Sequence, residues 1–217
     1  MVDYPFLLLL ALLLSIIKLN LLSIYSISKG FKYMRAVILL SGGIDSMACV
    51  NFYMQQGYDI ECIFCNYGQP GAAPELVAAS KIAEHYRVPL HTIETTNISI
   101  PESGEICGRN ALLVQQALCC CGYGSYKIVL GIHDGTGYAD CSKLFVDNMN
   151  RVIDCYANGK IILEAPFLNW VKPEIISYCK ANSLPVHFTY SCESGKVPPC
   201  GRCLSCLDRK EYLDGQI

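Results

Sequence analysis

Leu39-Leu40-Ser41-Gly42-Gly43-Ile44-Asp45-Ser46 is the stretch whose reading decides the fold. The apolar run before it, residues 36–40, reads as a buried strand. The apolar-periodic segment that opens at Asp45 and Ser46 reads as a helix, ended by Gly57. Two glycines make the turn between them, where the backbone can approach a ligand with no side chain in the way. A strand, turn and helix in this order aim backbone N–H groups and the positive end of the helix dipole at one point. That is an anion site sized for phosphate or pyrophosphate, built by residues 40–46: Leu40, Ser41, Gly42, Gly43, Ile44, Asp45 and Ser46. The hydroxyls of Ser41 and Ser46 can donate to phosphate oxygens, and Asp45 suits a magnesium ion bound to them. No Gly-Lys-Ser/Thr follows, so this is not a Walker loop.

Outward from the turn, strands and helices alternate. Residues 59–66, 89–93, 127–132 and 161–165 predict four more strands, and residues 73–86, 110–121, 141–157 and 172–181 predict helices. That order predicts an α/β fold, a parallel five-stranded sheet with helices on both faces. Ligands of such sheets bind beyond the carboxyl ends of the strands, near the topological switch point. The loops after strands one, two and four converge there, including residues 67–71 (YGQPG) and 133–140 (HDGTGYAD). The polar segment 94–109 is irregular and lies near the site. Cys62 and Cys65 have CxxC spacing, but residues three apart on a strand point to opposite faces, so they read as core thiols. His133 reads as a loop residue rather than a catalyst.

With 217 residues the chain can bury one α/β domain. A net charge of −2 gives no electrostatic case for direct nucleic-acid binding. The 14 cysteines sit in a mid-sized chain, several in apolar runs, which fits a reducing cytoplasm with one metal site. That site is Cys192, Cys200, Cys203 and Cys206: four thiolates for a tetrahedral zinc ion, with scattered free thiols or an iron–sulfur cluster as the alternatives. Four protein ligands leave no open position, so the ion is structural and clips the tail to the domain. Residues 6–17 are almost purely Leu, Ile and Ala, too short a stretch to span a bilayer unless residues 4–25 are taken together. Two readings stand for residues 1–33: a membrane anchor that keeps the enzyme domain, residues 34–217, in the cytoplasm, or an extension outside the fold.

Several stretches in order carry a family resemblance: LLSGGIDS, NYGQ, Gly108-Arg109-Asn110, GYADC at residues 137–141, APFLNW with VKPEII at residues 165–176, and the terminal cysteines. The first is similar to the SGGxDS signature of the PP-loop ATP pyrophosphatases, and the set together resembles the QueC family of 7-cyano-7-deazaguanine synthases from residue 34 to about residue 213. The resemblance implies a carbon–nitrogen ligase of the PP-loop, adenine nucleotide alpha hydrolase-like (HUP) class. Such an enzyme uses ATP to turn 7-carboxy-7-deazaguanine into an acyl-adenylate, lets ammonia displace AMP, and activates the amide a second time to reach the nitrile. A homodimer is the expected assembly. Asp45, Ser41, Ser46, Arg109 and Lys172 are then the catalytic set. Arg109 would bind phosphate or the substrate carboxylate, Lys172 would neutralise pyrophosphate, and Tyr138 and Asp140 would face the donor edge of a guanine-like ring. The chain departs from the family pattern at Pro70-Gly71, where Arg-His is usual, at Glu193, where Tyr is usual, and in a shorter loop after strand four. These departures leave two alternatives: conjugation of the activated carboxylate to another acceptor such as a protein N-terminus, and a zinc-stapled nucleotide-binding module without turnover.

Overall fold

A computed structural model describes residues 34–101, 105–122, 124–133 and 135–212. The apolar stretch read as an anchor or extension lies outside the described residues, and among these no helix is long and apolar enough to cross a membrane.

Five strands form one parallel sheet: β1 Arg35–Leu39, β2 Asp59–Asn66, β3 Leu90–Glu94, β4 Tyr126–Val129 and β5 Ile161–Glu164, in the spatial order β3-β2-β1-β4-β5. Among the described residues six α-helices accompany them: α1 Ile44–Gln55, α2 Ala72–Tyr86, α3 Arg109–Cys120, α4 Lys143–Ala157, α5 Lys172–Ala181 and α6 Leu204–Tyr212. The chain steps from β1 to β2 to β3 in one direction, then returns to the other side of β1 for β4 and β5. Parallel crossovers keep one hand, so this reversal sends the helices to opposite faces.

Alternation along the strands follows. Ile38, Leu40, Ile60, Cys62 and Phe64 pack with α1, α2 and α5, around Met47, Tyr53, Ile82 and Ile175. Val37, Leu39, Ile63, Cys65 and Ile128 pack with α3 and α4, around Val114, Ala117, Met149 and Ile153. Cys62 and Cys65 thus enter opposite cores, as their spacing on a strand requires, at 0% and 8% exposure.

Most elements lie within a residue or two of their expected ends. The fourth strand is shorter than its apolar run, stopping at Val129; beyond it the Ile132 N–H turns back to the Leu130 carbonyl. The expected helix from residue 141 is a 3₁₀ turn, Ala139–Cys141, followed by α4, because the Ser142 hydroxyl accepts from the Phe145 N–H and starts a new helix there. The helix α6 among the cysteines was not legible in the sequence: its nine residues carry little apolar signal.

Candidate active site

The sheet order changes direction between β1 and β4, and the loop after β1 emerges at that point. Gly42 has φ +84°, and a Cβ there would lie 2.5 Å from the Glu75 carbonyl oxygen, so only glycine fits. Gly43 is the residue before α1, and no side chain caps that helix. The first intrahelical bond runs from the Met47 N–H to the Gly43 carbonyl, which leaves the N–H groups of Ile44, Asp45 and Ser46 for a ligand. The Ser41 and Ser46 hydroxyls lie 3.1 Å apart, and Ser46 also donates to the Gly43 carbonyl at 3.0 Å. Gly131, beyond β4, packs close: a Cβ on it would sit 3.0 Å from the Ser46 nitrogen.

Asp45 has a partner that its sequence position did not announce. Lys172, the first residue of α5, donates to both of its carboxylate oxygens at 2.8 Å, and His133 Nε2 lies 3.9 Å from Oδ2. The side chains are about one-fifth exposed, at 22% for Asp45 and 19% for Lys172. The helix that carries Lys172 starts there because Glu174 accepts from the Val171 N–H at 2.9 Å and Pro173 fits the first turn. Asp45 and Ser46 offer oxygen donors of the kind magnesium takes. With Lys172 on both Asp45 oxygens, a metal on this carboxylate requires the lysine to move to another anion.

Arg109, Tyr138 and Asp140 line one cavity of 220 Å³, together with Glu105, Ile106 and Cys107. Asn110, only 2% exposed, holds this wall: its backbone N–H donates to Asp140 Oδ2 and its Nδ2 to the Asp140 carbonyl, both at 3.2 Å. A more open depression of 460 Å³ along α5, lined by Trp170, Pro173 and Tyr178, contains none of the expected site residues.

Three residues between the phosphate turn and this cavity were not among those expected. Gln69 accepts from the Tyr67 N–H and donates to Glu75 Oε2 at 2.9 Å. Burial pushes the Glu75 carboxyl up, against the pull of Gln69 and Arg109. Burial also pushes up the Tyr67 phenol, which faces the Arg109 guanidinium. The one available signal was Gln69 in a tight loop with an acid in the next helix.

The sulfurs of Cys192, Cys200, Cys203 and Cys206 all lie within 4.8 Å of one another. A single tetrahedral ion with bonds of ~2.3 Å holds its sulfurs ~3.8 Å apart, so the set fits one ion. Burial pushes the Cys192 thiol up, but donors from Ser194 and the Cys200 backbone outweigh it and draw it down to about 5. The departure at Glu193 has a local reason: its carboxylate accepts from the N–H and hydroxyl of Ser205, at 3.1 and 2.7 Å, and caps the start of α6. Arg209 of α6 then reaches Thr189 Oγ1 at 2.9 Å, and the Tyr190 N–H donates to the Gly42 carbonyl at 2.9 Å. The cysteine knob therefore leans on the phosphate turn. Pro70-Gly71, another departure, packs here too: Gly195 lies so close to the Pro70 carbonyl that no Cβ would fit.

The sequence profile described as "Queuosine biosynthesis protein QueC" matches residues 35–104 and 99–215. A relative from Desulfitobacterium hafniense (strain Y51), named 7-cyano-7-deazaguanine synthase 2, is 33% identical over 205 residues, covering 81% of this chain and 86% of its own. One from Acetivibrio thermocellus, named 7-cyano-7-deazaguanine synthase, is 29% identical over 205 residues, covering 81% and 90%. Among solved structures, the U34-tRNA thiolase NcsA from Methanococcus maripaludis with its [4Fe-4S] cluster aligns with a TM-score of 0.48 at 17% identity, covering 84% of this chain and 65% of that one. On the profile match and the synthase relatives together, the chain belongs to the QueC family of queuosine biosynthesis proteins.

Proposed function

We propose that the protein is a carbon–nitrogen ligase that converts 7-carboxy-7-deazaguanine and ammonia, with ATP, into 7-cyano-7-deazaguanine through an acyl-adenylate. One observation carries the reading: a phosphate turn with a lysine-paired aspartate and a cavity lined by an arginine and a second aspartate share the switch-point end of one sheet. The names of the relatives favour nitrile formation over conjugation to a protein and over a module without turnover.

A carboxylate is a poor electrophile until one oxygen becomes a good leaving group. The chain's task is to align that oxygen with the α-phosphorus and to stabilise the charge that develops on pyrophosphate. The N–H groups of residues 44–46 and the Ser41 and Ser46 hydroxyls receive the phosphates. Lys172 transfers from Asp45 to the pyrophosphate oxygens as they gain charge. Asp45 and Ser46 would hold magnesium, which supplies further charge neutralisation at the phosphates. Arg109 binds the substrate carboxylate, and Asp140, held by Asn110, accepts from the donor edge of the ring. The four cysteines hold zinc as a structural ion that fixes the tail against the phosphate turn.

The test is mass spectrometry of products from ATP, ammonia and 7-carboxy-7-deazaguanine. The expected products are AMP, pyrophosphate and a base whose carboxyl has become an amide and then a nitrile. Absence of carboxylate-dependent pyrophosphate release rejects the reading.

A further inference from the structure

The acids near the carboxyl ends of the strands are already engaged, with one exception inside the site. Asp45 carries Lys172, Asp140 is held by Asn110, and Glu164 at the end of β5 is bridged to Lys127 at 2.7 Å. Glu94 is exposed at the end of the edge strand β3. Glu75 is half-buried in the first turn of α2; its Oε2 accepts from the amide of Gln69, while Oε1 lies over Gly71, 2.6 Å from where a Cβ there would sit, with no hydrogen-bond donor on it among the described residues. No lysine, arginine or histidine among the described residues makes an ion pair with it. Its backbone carbonyl touches the Gly42 turn, and its charge acts on Arg109 of the cavity wall. Its backbone therefore adjoins the phosphate turn, and its carboxylate lies within electrostatic reach of the Arg109 wall, beside the place at which an activated carboxyl group would be attacked.

We propose that Glu75 binds the ammonium ion that donates nitrogen and takes a proton from it as the nucleophile forms. The inference rests on the amidation reading above. At neutral pH the donor is mostly ammonium, which has no lone pair. An N–H bond breaks, its proton goes to Glu75 Oε1, and the electron pair stays on nitrogen. That pair forms the C–N bond at the carboxyl carbon, and the bond from this carbon to the AMP oxygen breaks, with AMP leaving as the anion. The new ammonium-like nitrogen loses a second proton to water, and Glu75 returns its own to solvent. An unpaired carboxylate attracts a small cation, and burial raises its proton affinity, so both steps are favoured relative to a solvent-exposed acid. The charged or titratable groups facing it are Tyr67 on the loop after β2, Arg109 on α3 and Tyr190 beside the cysteine knob. Arg109 opposes cation binding until the substrate carboxylate neutralises it, which orders nitrogen entry after substrate.

The test compares wild type with Glu75→Gln and Glu75→Asp in three assays: carboxylate-dependent ATP–pyrophosphate exchange, product formation against ammonium concentration, and product formation with hydroxylamine, a nucleophile neutral at pH 7. In Glu75→Gln, exchange should stay within about threefold of wild type. Its kcat/KM for ammonium should fall by about 10²-fold or more, while hydroxylamine loses far less. Glu75→Asp should fall between the two. Equal losses with ammonium and hydroxylamine, or no loss with either, overturn the proposal. So does loss of exchange in both variants, which marks Glu75 as structural. A wild type without exchange overturns the amidation reading itself, and this inference with it.

Discussion

Asp45 and Lys172 lie 127 residues apart in the chain and meet because two helices start at the same end of the sheet. Each residue sits in the first turn of its helix, where the dipole favours an anion and disfavours a lysine. The lysine is held there by the aspartate, and an incoming polyphosphate offers it a stronger partner. Replacing Asp45 by Ala should therefore leave a folded protein and reduce pyrophosphate release by about 10²–10³-fold, read by pyrophosphate assay beside a thermal melt. Wild-type turnover in that variant would remove Asp45 from the chemistry. Asn110 works through geometry instead: it is buried at the start of α3 and fixes the direction of Asp140.

The phosphate turn and the cysteine knob are elements that depend on each other. Gly42 has no room for a side chain, and its carbonyl accepts from the Tyr190 N–H. Gly42→Ala should displace the turn from the first turn of α2. ATP affinity, measured by calorimetry, should fall by at least about tenfold, with stability lowered by about 1–3 kcal/mol. In the knob, Cys203 immediately precedes α6 and Cys206 lies in its first turn, so a bound ion nucleates the helix that Glu193 caps. Elemental analysis should find about one zinc per chain, and Cys203→Ser or chelation should lower Tm and weaken ATP binding together. Iron with acid-labile sulfide would assign the four cysteines to a cluster instead of zinc. An unchanged ATP affinity after metal loss would uncouple the knob from the turn.

For the whole molecule, the described sheet begins next to residue 34. Met34 contributes its carbonyl, which accepts from the Asp59 N–H at 2.9 Å, and β1 begins at Arg35. A chain starting at Met34 should stay in solution at high concentration and retain ATP-dependent activity. If it aggregates while the full chain does not, residues 1–33 must cover apolar surface of the domain.

Local chemistry made the frame legible. Strand and helix periods, glycine punctuation and cysteine spacing are properties of neighbouring residues, so the alternating fold, the glycine turn between β1 and α1, the opposite-facing Cys62 and Cys65 and the four-cysteine cluster could all be read from the sequence alone. The family resemblance, not local pattern, singled out Arg109, Tyr138 and Asp140 on segments bound for one end of the sheet. Tertiary structure decided the pairings. Lys172 on Asp45, His133 beside them, Asn110 behind Asp140 and Gln69 on Glu75 depend on which helix starts converge. That convergence is set by strand order β3-β2-β1-β4-β5, which brings chain-distant ends together and has no counterpart in the spacing of residues along the chain.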